Sequence, residues 1–327
     1  MPLLLTERDV RAVLPMPDLI EAMEGALAAY SAGRVVQPVR TVLEAGAGGG
    51  LFAVMPAALD DPPVMGAKLV TVYNDNHRRG LPSHLASIVV LDHATGALVA
   101  LMDGRYITEA RTAAVSAVSV KLLARPDARS LALIGSGVQA RSHLDAIRHV
   151  RPLSEVRVWS PTAGHREAFA AEMSAAMGVD VRASASASEA TRGADIVVLA
   201  TASVSPVVED EAVGRGAHIC GVGACRPDQR EMPTAVVARS RMFVDSRAGA
   251  LKEAGDILLP IREGAIDEKH IAGELGELAL GRVAGRRSDS DLTVFKSLGM
   301  AVEDVVTARL VVERARAAGL GQTFELT

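Results

Sequence analysis

Leu131-Ala-Leu-Ile-Gly135-Ser-Gly137-Val-Gln-Ala140 is the stretch that decides the fold. An apolar run ends at a glycine, and residues 135–140 then take the form G-x-G-x-x-A. The first glycine permits a tight turn after a strand, and the second lets the backbone approach a pyrophosphate. An alanine at the last position allows close helix–strand packing, and the following helix offers free N–H groups and the positive end of its dipole. Alone the motif is weak. Here residues 130–134 read as a buried strand, and residues 138–149 as a helix with Ala140, Leu144 and Ile147 on its inner face. Residues 156–159 read as a second strand, and that context identifies a dinucleotide site. Gly135, Gly137, Val138, Gln139 and Ala140 are therefore candidate cofactor contacts. The end of the second strand selects the nucleotide, because an acid there bonds the ribose 2′-OH of NAD. This chain has Ser160-Pro161-Thr162, with Arg166 beyond. Ser160, Thr162 and Arg166 can meet a 2′-phosphate, so NADP (as NADPH) is the preferred cofactor, with NAD possible. The alternative is that Arg166 is a solvated helix residue.

Working outward, a helix to about residue 177 and strands at 194–200, 218–222 and 241–245 continue the alternation. The expectation is an α/β Rossmann domain with a parallel, doubly wound sheet. Upstream the rhythm differs. Residues 17–32 read as a helix with Leu19, Met23, Leu27 and Tyr30 on one face. Residues 39–43, 64–72, 85–91 and 97–102 read as strands, the last two joined by a turn at Asp92-His-Ala-Thr-Gly96, and a helix follows over 108–123. Gly46-Ala-Gly-Gly-Gly50 reads as a flexible tip. This segment is an α+β domain with a sheet of its own. The last helix, with Val302, Val305, Val306 and Leu310 at helical spacing, is expected to return to it. The predicted domains are thus 1–122 with 300–327 for substrate binding and dimerisation, and 123–299 for the dinucleotide.

Composition narrows the function classes. At about 150 residues per domain, 327 residues predict two domains. With 49 % hydrophobic but only 3 % aromatic residues, the cores are aliphatic and alanine-rich. The net charge of -4 is spread over interspersed charges, leaving no basic face for nucleic acid and no polybasic run for a membrane surface. No stretch approaches the ~18 apolar residues of a membrane span. Two cysteines, Cys220 and Cys225, make neither a disulfide framework nor a metal motif. A reducing, cytoplasmic setting is expected, with no metal.

Three cations are candidates for the substrate side. Lys68 interrupts an apolar strand, and a lysine is almost never buried unless paired or functional. Facing a cleft it can act as a proton donor with a lowered pKa; on an edge strand it is merely solvated. Arg111, one turn into a helix, can hold a carboxylate with its fork beside the helix N-terminus, or make a surface salt bridge. Arg40, in Gln37-Pro-Val-Arg40, is equally open.

Almost the whole chain resembles the ornithine cyclodeaminase/mu-crystallin family, and most of all its ketimine reductase branch. The resemblance lies in Gln37-Pro-Val-Arg-Thr-Val42, Val54-Met-Pro56, Lys68-Leu-Val-Thr71, Pro82-Ser-His84, Arg111-Thr-Ala-Ala-Val-Ser-Ala117 and Gly137-Val-Gln-Ala140. It continues through Gly216-Ala-His218, Arg226-Pro-Asp228 with Glu231, Val244-Asp-Ser246, Glu274-Leu-Gly276 and the long Val294-Phe-Lys-Ser-Leu-Gly-Met-Ala-Val-Glu-Asp304. It implies a homodimer, Arg40 and Arg111 on the substrate carboxylate, and Lys68 at the reacting nitrogen or carbon. It also implies Met55 and Cys225 beside the substrate, and Thr201, Ala202, Val222, Gly223 and Gly299 along the nucleotide. Two departures separate the chain from cyclodeaminases. Cys225 replaces the aspartate of their Gly-Gly-Asp-Cys-Pro-Gly pattern, and Ala53 replaces an acid two residues before Met-Pro. The resemblance therefore implies reduction of a cyclic 2-imino acid, Δ1-pyrroline-2-carboxylate or Δ1-piperideine-2-carboxylate, to proline or pipecolate. Ornithine cyclisation, amination of a 2-oxo acid, and a nucleotide-dependent binding protein are the alternatives.

Overall fold

The first element in the computed structural model is one that hydrophobic periodicity does not announce. Strand β1 (Leu3–Leu5) is followed at once by helix α1 (Glu7–Val13). Thr6 and Asp9 close a reciprocal capping box there, Asp9 N–H donating to Thr6 Oγ at 3.3 Å and Thr6 N–H to Asp9 Oδ2 at 2.9 Å. The structure describes residues 1–45 and 49–325. The expected glycine tip falls largely on residues 46–48, outside the described residues; Gly50 already belongs to a strand.

Along the chain come α2 (Met16–Ser31), β2 (Val35–Val36), β3 (Thr41–Ala45), β4 (Gly50–Asp60), β5 (Pro63–Val72), β6 (His84–Leu91), β7 (Leu98–Asp103) and α3 (Arg105–Leu123). Strand β4, which has Pro56 in its middle, is not among the strands expected from sequence. Pro56 stands between the stretch that pairs with β3, ending at Val54, and the stretch that pairs with β2, beginning at Ala58. The ladder on that side is interrupted there, so a residue without an N–H is tolerated. Helix α3 starts three residues before its expected position because Asp103 Oδ1 accepts the Tyr106 N–H at 3.2 Å and caps it.

The chain then alternates strand and helix through β8 (Ser130–Ile134), α4 (Val138–Ile147), β9 (Glu155–Trp159), α5 (Ala163–Met177), β10 (Val181–Ala183), α6 (Ala187–Thr191), β11 (Ile196–Leu199) and β12 (His218–Gly221). It continues with α7 (Thr234–Ala238), β13 (Arg241–Val244), α8 (Arg247–Glu253), α9 (Gly255–Arg262), β14 (Ile271–Glu274), α10 (Leu275–Ala279) and β15 (Thr293–Lys296). Last come α11 (Ala301–Ala318), stopped by Gly319 at φ 65°, and β16 (Gln322–Thr323).

These elements form two compact units, Met1–Arg111 with Gly299–Thr327, and Thr112–Leu298. The first holds a sheet in the order β16-β1-β7-β6-β5-β4-β2, with β3 also on β4. Helix α11 packs on α2 and on β4, β5 and β6, burying Val302, Val305, Val306, Val311 and Val312. The second unit is an all-parallel sheet in the order β10-β9-β8-β11-β12-β15-β13-β14, the doubly wound α/β architecture. Its core is aliphatic, with Leu131, Leu133, Ile196, Val198, Val294 and Ile219 fully buried. Among the described residues no helix is long and apolar enough to cross a membrane.

Candidate active site

Strand register builds the first part of the site. Met55 pairs with Lys68, and Lys68 with Ile88. Thr41, the first residue of β3, pairs with Val54, and the half-buried Arg40 immediately precedes it in the chain. Directly opposed residues share a face, so Met55, Lys68 and Ile88 form a row. Lys68 is 1 % exposed, in the interior strand β5 rather than on an edge. Its Nζ lies 2.7 Å from Asp304 Oδ2. The same carboxylate receives Arg111 Nε at 2.9 Å through Oδ1, while Arg111 Nη1 donates to Glu303 Oε2 at 2.7 Å. Glu303 and Asp304 are both fully buried in the first turn of α11, where the positive end of the helix dipole favours anions.

Arg111 thus departs from its expected setting. Because α3 begins at Arg105, Arg111 lies in the second helical turn, and its partners are two internal carboxylates rather than the N-terminus of its own helix. Gly299, read from sequence as a cofactor contact, lies against it: at φ 83° its missing Cβ would be 2.4 Å from Arg111 Nη1.

Burial drives the Lys68 ammonium down to about 8; Arg111 acts in the same direction and Asp304 opposes. Burial works to raise Asp304, but Arg111 and Lys68 outweigh it and hold the carboxyl below its ordinary range. His84, brought to the same face by its pairing with Val72, is pushed down to about 4, first by burial and then by Lys68 and Arg111, and is neutral at physiological pH. The cluster is a buried proton donor held by a carboxylate whose ionised form its neighbours favour, with a neutral imidazole alongside. Sequence reading missed Glu303, Asp304 and His84 as functional groups. Two acids inside the valine stripe of α11 were the available signal.

The second unit carries the dinucleotide cradle. Gly135 has φ 117°, and a Cβ there would come within 2.4 Å of the Ala200 carbonyl oxygen. Gly137 is the N-cap of α4, with no side-chain cap and open space where its Cβ would be. Val138 is half exposed, Gln139 Oε1 is buried with no hydrogen-bond partner, and Ala140 packs with Leu144 and Ile147 in the core. Uncapped N–H groups beside an open glycine fit a pyrophosphate. At the end of β9, Ser136 Oγ donates to Ser160 Oγ at 2.9 Å, and Arg166 Nη1 donates to the Ser160 carbonyl at 3.0 Å. Arg166 is therefore half-buried and folded back onto Ser160, with the exposed Thr162 next to it as the N-cap of α5.

Thr201 and Ala202 follow β11, and Val222 and Gly223 follow β12, at the carboxyl ends of neighbouring parallel strands where such sheets bind ligands. One side chain ties the two loops together. Glu231 Oε1 accepts from Thr201 N and Thr201 Oγ, both at 2.7 Å, and Oε2 accepts from Gly223 N at 2.7 Å and Ala224 N at 3.2 Å. Asp256 Oδ1 in turn accepts the Glu231 and Met232 N–H groups at 2.8 and 3.0 Å, and Asp256 Oδ2 is 3.1 Å from Lys296 Nζ. Cys225 is a free, partly buried thiol packed against the core, its Sγ donating to the Val222 carbonyl at 3.4 Å.

The model of the ornithine cyclodeaminase/mu-crystallin family matches residues 1–319. The chain is 43 % identical over 296 residues to the ketimine reductase mu-crystallin of Mus musculus, covering 90 % of each protein. Its structure is similar to that of Thermococcus litoralis Δ1-pyrroline-2-carboxylate reductase in complex with NADH and L-proline, at 40 % identity and a TM-score of 0.96, over 98 % of this chain and 100 % of that one. An archaeal alanine dehydrogenase dimer with bound NAD is similar at 30 % identity and a TM-score of 0.94, over 100 % and 99 %. With the match running nearly end to end, the chain belongs to the ornithine cyclodeaminase/mu-crystallin family.

Proposed function

We propose that the protein is an NAD(P)H-dependent ketimine reductase that converts cyclic 2-imino acids, Δ1-pyrroline-2-carboxylate and Δ1-piperideine-2-carboxylate, to L-proline and L-pipecolate. The observation that carries this reading is the buried Lys68 ammonium, poised near neutrality against Asp304. It keeps the ring nitrogen protonated, and an iminium carbon accepts hydride far better than a neutral imine. Arg111 and Arg40 hold the substrate carboxylate, with Met55 and Cys225 as apolar neighbours. When bound, the reduced nicotinamide supplies the hydride. The chain's own contribution to the nucleotide is positional: Gly135, Gly137, Val138, Gln139 and Ala140 take the pyrophosphate, and Ser160, Thr162 and Arg166 take a 2′-phosphate, which favours NADPH over NADH. Thr201, Ala202, Val222 and Gly223 line the nicotinamide half, and Gly299 is a further nucleotide contact.

Reduction is favoured over cyclodeamination by Ala53 and Cys225, which leave no acid at the two positions where cyclodeaminases carry one. The similarity to a pyrroline-2-carboxylate reductase over nearly the full length supports the same choice. The working form is a homodimer, since the outer face of the first sheet exposes Leu43, Leu69 and Leu85 at 54, 39 and 37 %, and a second copy of the chain would cover them. Free thiols at Cys220 and Cys225 suit a reducing compartment such as the cytoplasm. Loss of NADPH absorbance with the two cyclic imines, against ammonia release from L-ornithine, tests the proposal. Turnover of the imines supports it; ammonia and proline from ornithine with the imines inert would overturn it.

A further inference from the structure

We propose that Glu231, braced through Asp256 on Lys296, is a positioning residue for the nicotinamide half of the cofactor, one that also makes that end of the site electronegative and so favours the oxidised, cationic ring. The inference rests on the reading of the protein as a nucleotide-dependent reductase and asks what in the chain biases the nucleotide.

The place of the network follows from topology. The order β10-β9-β8-β11-β12-β15 is two three-strand halves meeting at β8 and β11. With the pyrophosphate on the turn after β8, the adenosine half extends over β9 and the nicotinamide half over β11 and β12. The loops that Glu231 ties together are the two that follow β11 and β12. Lys296, the last residue of β15, stands next in the sheet, opposite Gly221.

The contacts around Glu231 are close. Each Glu231 oxygen accepts two donors, and Glu231, Asp256 and Lys296 are all fully buried. A Cβ on Gly223 would lie 2.1 Å from the Thr201 carbonyl oxygen and 2.5 Å from Glu231 Oε1, so the two loops close around the carboxylate only because residue 223 is glycine. Burial, with Asp256 beside it, raises the Glu231 pKa, while Lys296 and Thr201 oppose the rise. Three backbone N–H groups, of Thr201, Gly223 and Ala224, can only donate to its oxygens, and with Lys296 they favour the ionised form. Two carboxylates and one ammonium then leave one net negative charge, poorly screened by solvent. A cationic nicotinamide gains from that charge and a neutral dihydronicotinamide does not, so the bias favours giving up hydride.

The test is calorimetric titration of the full-length protein with NADPH, NADP+, NADH and NAD+, in the wild type, E231Q, E231D and K296M. E231Q should weaken the oxidised nucleotide relative to the reduced one by about five-fold or more, the scale of a unit charge change in a poorly solvated site. E231D keeps the charge, so its ratio should stay near wild type even if both affinities fall. K296M should move the ratio the opposite way to E231Q. Should K296M not fold, the contrast between E231Q and E231D decides. An unchanged ratio in E231Q, or the same shift in E231Q and E231D, would reduce the network to a scaffold and overturn the proposal. A wild type that binds nucleotide but turns over no imine would defeat the reductase reading and leave this one standing; a wild type that binds no nucleotide would defeat both.

Discussion

Lys68 owes its chemistry to two opposing effects, of which burial is the larger. Removing an ammonium from water pushes its pKa down, and an ionised carboxylate at 2.7 Å pulls it back up. With the balance near 8, reduction should require protonated Lys68 and decline as pH rises through about 8. In Asp304→Asn the opposing carboxylate is gone, so Lys68 should lose its proton more easily and the descending limb of kcat/KM should move to lower pH. A limb that stays in place would show that Asp304 only packs. Lys68→Met should remove most of the reduction while leaving nucleotide affinity intact, measured by titration with NADPH. Lys68 and Arg111 could be singled out from sequence because a cation in an apolar run is conspicuous. Asp304 could not be assigned to them, because it lies 193 residues beyond Arg111 and only the packing of α11 on β5 brings the three together.

The β8–α4–β9 unit is the element whose sequence reading came closest, with β8 at its expected bounds and β9 beginning one residue earlier. Its determinants are local: an apolar run, a glycine that must adopt φ 117°, and an open glycine at the helix start. The nucleotide preference is tested at the same element. Ser160→Asp places a carboxylate at the end of β9, where it repels a 2′-phosphate and can accept from a 2′-OH. It should lower kcat/KM with NADPH by roughly ten-fold or more, the cost of about 1.4 kcal/mol, and spare or improve NADH. Equal loss with both nucleotides would show that Ser160 serves only the Ser136 contact. Among the elements that went unread, β1 and β4 lacked such local signals. A three-residue strand has too little periodicity, and Pro56 argues against a strand until the gap between β2 and β3 is known.

Two properties belong to the whole molecule. If the outer face of the first sheet is covered by a second copy, Leu69→Glu should convert a dimer to a monomer in mass-resolved chromatography; a monomeric wild type would remove the premise. The second property is acid sensitivity. His143, fully buried with Nδ1 donating to the Gln139 carbonyl at 2.7 Å and Nε2 at 2.9 Å from Ser116 Oγ, is pushed down to about 4 by burial, and His218 to about 3. An unfolded histidine titrates near 6.5. The unfolded chain therefore takes up protons first as pH falls below that value, and the stability from burying neutral imidazoles, present above it, is lost between about pH 6.5 and 4, on the order of 3 kcal/mol for His143. Thermal unfolding should show Tm dropping across that window, less steeply in His143→Gln. What the sequence by itself determined was whatever depends on near neighbours: the parallel α/β unit, its phosphate-binding turn, the absence of an acid after β9, and the valine stripe of α11. Only the tertiary structure decided that Lys68 is interior, that Arg111 is anchored through Nε on Asp304 and Nη1 on Glu303, and that Glu231 fastens two loops from different strands. The physical reason is that burying a charge is favourable only beside a partner, and here the partners come from distant parts of the chain that the sheets and helices have first to bring together.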